Sequence, residues 1–254
     1  MMIKFFRRIR QNLLMENKAS KYLLYAIGEI ILVVIGILIA LQINNWNESR
    51  KEANFEVQIL KAFRESLQTD LADVDYNISL HAKGLRTADS ILVLLESSET
   101  IQEDSLAKLF AAVMMHTRFV HSTSAFESLK AKGVNSISNP DLQKKIVDVY
   151  DSQYSFFLLN EQEFVDQIYL GYRSIMPTRF EDSFSIDITS RPLTGRIKPL
   201  DFEELKEDEM YLYYIKSLRN STKLFIEFHY AMLRTDIVEL QEMIDREIEL
   251  KEEA

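Results

Sequence analysis

The chain has 254 residues, 47% hydrophobic and 27% charged, with a net charge of −9 and no cysteine. Such a composition excludes a disordered chain, and the missing thiols exclude disulfides, thiolate catalysis and Cys-ligated zinc or iron–sulfur centres. The charge is divided: residues 1–51 carry eight Lys or Arg against three Glu (+5) and the remainder 22 against 36 (−14), so nucleic acid is excluded as a partner of the larger part.

Residues 1–21 hold Lys4, Arg7, Arg8, Arg10, Lys18 and Lys21, with Glu16 as the only acid. On a helical wheel Met2, Phe5, Phe6, Ile9 and Leu13 share one side and Lys4, Arg7 and Arg8 the other. This pattern suits a short helix lying on anionic lipid headgroups.

Tyr22 to Leu41 follows, twenty residues that make a helix of ~30 Å, the thickness of a hydrocarbon core. A transmembrane helix is predicted over 22–43. Glu29 lies inside it, because the stretch after it, Ile30 to Ile43, has fourteen residues and covers only ~21 Å. A charge at the bilayer centre costs ~2.5–3.5 kcal/mol on insertion scales. Ala26, Glu29, Gly36 and Ala40 share one face with Leu38 opposite, and Gly36-x-x-x-Ala40 has the spacing that lets two helix backbones approach. Glu29 therefore has three readings: helix association, passive snorkelling toward Tyr25 and the interface, or proton and ion coupling. Tyr22, Tyr25 and Trp46 are the expected interfacial aromatics.

Six basic residues precede the span, whereas only Arg50 and Lys51 lie within ten residues after Leu41. The expected topology is an N-terminus in the cytoplasm, one pass through the inner membrane, and residues 44–254 in the periplasm. The apolar run is too long for a signal peptide and lacks an Ala-x-Ala cleavage pattern, so an uncleaved signal anchor is expected.

From about 48 to 95 the apolar residues Phe55, Ile59, Phe63, Leu67, Leu71, Val74, Ile78, Leu85, Leu92 and Leu95 recur at helical spacing. A long amphipathic helix is predicted, either continuous with the span or broken from it at Asn44-Asn45-Trp46-Asn47, the stretch of poorest helix propensity. Thr100-x-x-Glu103 and Ser124-x-x-Glu127 read as capping boxes for short helices at about 103–115 and 124–132, the second stopped by Gly133. Asn139-Pro140 opens a helix over 139–176, halted by Pro177. Residues 177–200 hold three of the four prolines and read as a loop with a short strand at Ser185 to Thr189. A last helix is expected over 208–252, where Leu233, Ile237, Leu240 and Ile244 are spaced by four, three and four, a coiled-coil seam. The fold class is all-α: a single N-terminal transmembrane helix followed by an elongated helical-bundle domain.

The catalytic inventory is thin. His116 and His121 do not share a helix face, no Glu-x-x-His occurs, and the six glycines are scattered, so no di-iron site, phosphate loop or nucleophile elbow can be assembled. The aromatic clusters Tyr211–Tyr214 and Tyr154–Phe157 read as core sooner than as a pocket lining. No cofactor, metal or enzymatic activity is expected.

The residues Ile3–Arg10 and Lys21–Asn47 resemble a family of single-pass membrane proteins from Bacteroidetes known only as a domain of unknown function. A weaker likeness runs through Phe126-Glu-Ser-Leu-Lys-Ala-Lys-Gly133 to Ile137-Ser-Asn-Pro140. The resemblance implies an envelope location and a helical domain, and transfers no catalytic residue. Residue pattern and resemblance together lead to an interaction or scaffold protein, assembling as a homo-oligomer or with another membrane protein through the Glu29 face and the C-terminal seam. A periplasmic ligand-sensing module is the second reading, and an enzyme the third.

Overall fold

The structure is a computed structural model that describes residues 19–98, 101–181, 185–187, 189 and 194–253. It is all-α, with one small hairpin among the described residues. Two compact units divide at Phe55 and Glu56.

Helix α1 runs from Ala19 to Glu96. Of the two expected arrangements the continuous one is found, with no break at Asn44–Asn47. The propensity penalty of an Asn is only ~0.5–0.7 kcal/mol, and breaking an established helix forfeits several backbone hydrogen bonds. In the first unit the large apolar side chains from Ile30 to Ile43 are exposed, and this is one helix long and apolar enough to cross a membrane.

The second unit is a helical bundle. Helix α2 is Glu103–Val113 with Gln102 as N-cap, and α3 is Ser124–Lys132 with Thr123 as N-cap; neither makes a side-chain cap hydrogen bond. The expected capping boxes do not match these starts: Glu103 is the first helical residue where a box needs it third, and Ser124 lies one step beyond the N-cap position. Thr100 lies outside the described residues. Gly133, at φ 106°, ends α3 in a conformation that L side chains rarely adopt.

Asn139 caps α4 (Pro140–Val147), its Oδ1 accepting from the backbone N–H of Asp141 at 3.1 Å and Leu142 at 3.2 Å. A cap of this kind contributes about 1 kcal/mol. The helical path continues through a π segment (Asp148–Gln153), α5 (Tyr154–Leu170), a second π segment (Gly171–Ile175) and a 3-10 turn (Met176–Thr178) that contains Pro177. The predicted 139–176 helix is thus present, but π-bulged twice.

Strand β1 (Ser185–Asp187) pairs antiparallel with β2 (Thr194–Arg196), within what reads from sequence as loop. The Ile197 N–H donates to the Ala107 carbonyl at 3.0 Å, tying the hairpin to α2. The acidic run that follows supplies two caps: Asp201 for α6 (Phe202–Glu207) and Asp208 for α7 (Glu209–Leu224). Asp208 also takes a bidentate pair from Arg179, at 2.6 and 3.0 Å. A third π segment (Phe225–Tyr230) joins α7 to α8 (Ala231–Glu252).

Helix α8 and the α7 path run antiparallel along α1. Ion pairs Lys61–Glu252, Arg64–Asp245, Arg234–Asp75 and Arg219–Asp89 mark successive levels. Leu233, Ile237, Leu240 and Ile244 are buried in the interior of this unit. These four residues are covered within the chain, which corrects their expected use as an assembly surface.

Candidate functional site

In the second unit α1 has a second periodicity that its apolar residues alone conceal. Positions 56, 60, 63, 67, 70, 74, 77, 81, 84, 88, 91 and 95 alternate steps of four and three, and all but Gly84 are buried. Four of them are polar: Glu56, Asp70, Asn77 and His81. A coiled-coil seam tolerates such residues only when each finds partners.

Two of these polar groups, Asp70 and Asn77, serve the stretch between α2 and α3 together with Asp73 beside them. The chain there is non-helical and belongs to no strand, so its buried backbone groups need partners from side chains. The Ser122 N–H donates to Asp70 Oδ1 at 2.8 Å, and the Val120 N–H to Asp73 Oδ2 at 3.0 Å. From the other side, the Phe119 N–H donates to Glu161 Oε1 on α5 at 2.7 Å. Asn77 Nδ2 donates to the Arg118 carbonyl at 3.3 Å and to Asp73 Oδ2 at 2.8 Å. The side to which the N–H groups turn alternates, as along any extended chain. Three carboxylates therefore stand where neighbouring strands would be. Tyr154 closes the cluster, its hydroxyl donating to Asp70 Oδ2 at 2.8 Å.

Burial pushes the Asp70 carboxyl up to about 6, against the opposing pull of the Ser122 N–H and the Tyr154 hydroxyl, with Asp73 adding to the rise. Burial likewise raises Glu161. His81 moves the other way: packed among the rings of Phe164, Phe225 and Tyr230, it is lowered to about 4 by burial and by His116, and is neutral at pH 7. Burial holds the phenols of Tyr150, Tyr154 and Tyr230 above the ordinary range. Among the described residues, His81 Nε2 and Tyr150 Oη are buried without a hydrogen-bond partner. The chemistry open to this core is proton uptake at Asp70, not contact with a substrate, because Asp70 is wholly enclosed.

A second polar cluster closes one end of the seam. Lys251 Nζ lies 3.0 Å from Glu56 Oε2 and 3.3 Å from Glu247 Oε1. Ser138 donates both its N–H and its hydroxyl to Glu56, and Asn139 donates to Glu247. Elsewhere a cleft of about 790 Å³ opens between Leu95–Ser98, Glu181 and Lys198–Glu207, where Lys198 pairs with Glu103 and Glu181. Among the described residues no three His, Cys, Asp or Glu side chains gather as a metal site requires.

A profile of the family of unknown function DUF6090 matches residues 29–196. The chain belongs to that family. The matched part begins at Glu29 and ends in β2, so within this DUF6090 protein it takes in the carboxylate clamp on residues 118–122 and leaves α6, α7 and α8 outside. Neither a curated protein nor a solved structure matches the chain.

The sequence-predicted residues of the DUF6090 chain fall in different places. Ala26 and Glu29 are half-buried, and Gly36 and Ala40 exposed, on the same helix; a Cβ at Gly36 would meet nothing within 4 Å. Trp46 is exposed, with the Arg50 guanidinium 6.0 Å from its ring centre. Lys4, Arg7, Arg8, Arg10 and Lys18 lie outside the described residues, as do the side chains of Lys21, Tyr22 and Tyr25. Leu233, Ile237, Leu240 and Ile244 are brought together in the core. Tyr154, Phe157, Tyr211 and Tyr214 are core as read, while Phe156 and Tyr213 face out. Asp70, Asp73, Asn77, His81 and Glu161 were missed. Extending the four-three spacing from Leu60, Phe63 and Leu67 to Ala88, Ile91 and Leu95 would have landed on 70, 77 and 81.

Proposed function

We propose that this chain is a single-pass inner-membrane protein, its basic N-terminus in the cytoplasm and residues 44–254 in the periplasm, that works as an interaction or assembly protein of the cell envelope. The observation that carries the reading is the apolar run of α1, Ile30 to Ile43, whose large side chains have no cover among the described residues and need lipid or another helix. Glu29 shares its face with Ala26, Gly36 and Ala40, the composition at which two membrane helices approach. The acids of the bundle core are committed to backbone N–H groups and not to an open reaction site. A ligand-sensing role is the second reading, favoured by the cleft beside α6; an enzyme is the third.

Two measurements test the reading. Alkaline phosphatase fused after Ala254 should be active, and a fluorescent protein that folds only in the cytoplasm should be dark at the same position; the reverse pair of results refutes the topology. Full-length chain purified from membranes should bring down a second copy or another membrane protein, and Glu29→Leu should weaken that recovery severalfold. Recovery equal to wild type would remove Glu29 from assembly.

A further inference from the structure

Helices α5 and α7 lie side by side and antiparallel on the outside of the bundle, joined at one level by Gln167 Nε2 donating to Ser217 Oγ at 3.0 Å. Phe156, Leu159 and Leu170 on α5, and Tyr213, Leu224 and Phe228 on α7 and the π segment after it, are 44–76% exposed. Six large apolar side chains presented at roughly 100 Å² each approach 600 Å², the upper end of what a monomer ordinarily exposes in one patch.

Their levels match. Counting both ways from the Gln167–Ser217 bond, Phe156 stands level with Phe228, while Leu170 is within one residue of the level of Tyr213 and Leu159 within one of Leu224. The tilted contact of the Phe156 and His229 rings, 6.0 Å between centres, confirms the register at the far end. Between the apolar levels the exposed charges divide by helix. Glu163 and Asp166 lie on α5, and Lys216 and Lys223 on α7, with Asp166 two residues out of level with Lys216 and Glu163 two out of level with Lys223. Two residues are ~3 Å along a helix, within the reach of these side chains. Glu227, one turn beyond Lys223, is the acid of the α7 side and lies 4.0 Å from that lysine.

We propose that this face joins two copies of the chain, α5 of each packing on α7 of the other about a two-fold axis parallel to the groove. Such an axis lays each level of α5 on the same level of the partner's α7. Apolar side chains then meet apolar ones, and both acids of each copy meet both lysines of the other. It also keeps corresponding helices of the two copies pointing the same way. With the charged rim the patch reaches about 800 Å² per partner, the size of a stable isologous contact. The inference rests on the assembly reading above and names its partner as a second copy.

The test uses full-length chain labelled with donor or acceptor fluorophores and reconstituted in phosphatidylethanolamine–phosphatidylglycerol vesicles, with association read from energy transfer. Glu163→Lys with Asp166→Lys should weaken association at least tenfold, because α5 then presents lysines to lysines. Lys216→Glu with Lys223→Glu should do the same with acids against acids. Mixing the two double variants should restore transfer to within about twofold of wild type, since each copy then offers the other a complementary helix on both sides of the axis. Variants that associate like wild type, or a mixture that fails to recover, would overturn the proposal, as would wild-type chain that shows no transfer. Should a charge swap unfold the domain by circular dichroism, Leu170→Arg and Tyr213→Arg replace it, and unchanged transfer in both is likewise fatal. Association lowered by Glu29→Leu but indifferent to every change on α5 and α7 would refute this face and leave membrane-helix assembly standing.

Discussion

His81→Leu should make the domain gain stability relative to wild type as the pH falls from about 6 to 4, and Asp70→Asn should make it lose stability over the same range. Asp70 has a folded-state value of about 6 against an ordinary 3.8, so between those limits the folded chain holds a proton that the unfolded chain has released. Stability from this group is complete below pH 3.8 and is lost as the pH rises through about 6. His81 has a folded value of about 4 against 6.5, so between those limits the unfolded chain is the one that holds the extra proton. Its contribution is complete above pH 6.5 and is lost as the pH falls toward 4. Each shift of two units or more corresponds to roughly 3 kcal/mol, and the two act in opposite directions over nearly the same window. In wild type they almost cancel. Removing one exposes the other, with a slope of up to ~1.4 kcal/mol per pH unit relative to wild type. Asn at 70 also leaves one of its two donors, the Ser122 N–H or the Tyr154 hydroxyl, without an acceptor, a constant offset of ~1–3 kcal/mol that does not alter the slope. Urea unfolding of the detergent-solubilised chain at pH 4, 5, 6 and 7 measures both effects. Variant and wild-type profiles that run parallel would show that neither group titrates as described.

Gly171→Ala should destabilise the fold by about 2–4 kcal/mol, a large effect for one methyl group on a helical residue. A Cβ at that position would overlap the ring and hydroxyl of Tyr214, which is buried and has its hydroxyl against Met114 Sδ at 3.5 Å. Neither side can give way easily, because Gly171 is buried at the start of a π segment and the Tyr214 ring is enclosed. Tyr214→Leu shortens the obstructing side chain, so Gly171→Ala should cost at least ~1 kcal/mol less when combined with Tyr214→Leu than in wild type. Thermal unfolding of the four members of the cycle checks this. Additive effects would mean the Tyr214 ring is not the obstacle.

The helix positions, the Asn139 cap, the Gly133 stop and the strand at Ser185 were legible because each rests on a local signal. The apolar run of α1 was legible for the same reason, since it is contiguous. The capping boxes were misread because Thr and Ser three residues before Glu are informative only if the helix starts where the box requires. The carboxylate clamp was invisible because its partners are 42 to 52 residues apart. An acid at a seam position reads as a solvated surface until the stretch it holds is known to lie beneath it. The C-terminal seam was seen as a seam but given the wrong partner. Spacing shows that Leu233, Ile237, Leu240 and Ile244 need cover, and carries no information on whether α1 of the same chain supplies it.

The polar interruptions of that seam settle an ambiguity that a purely apolar one would leave open. Two antiparallel helices with apolar residues in steps of four and three fit each other almost as well after one slides past the other by seven residues, so apolar layers alone define a ladder of near-equivalent alignments. Sliding α8 by one such step would carry Lys251 about 10 Å from Glu56. Glu56 would then lie in the interior without Lys251, which moves away with Glu247 on its own helix, and leaving a buried acid without its counter-charge costs on the order of 3–5 kcal/mol. The Glu56–Lys251–Glu247 cluster at the end of the seam thus works as a catch that lets the long helices close at one setting and penalises the neighbouring ones.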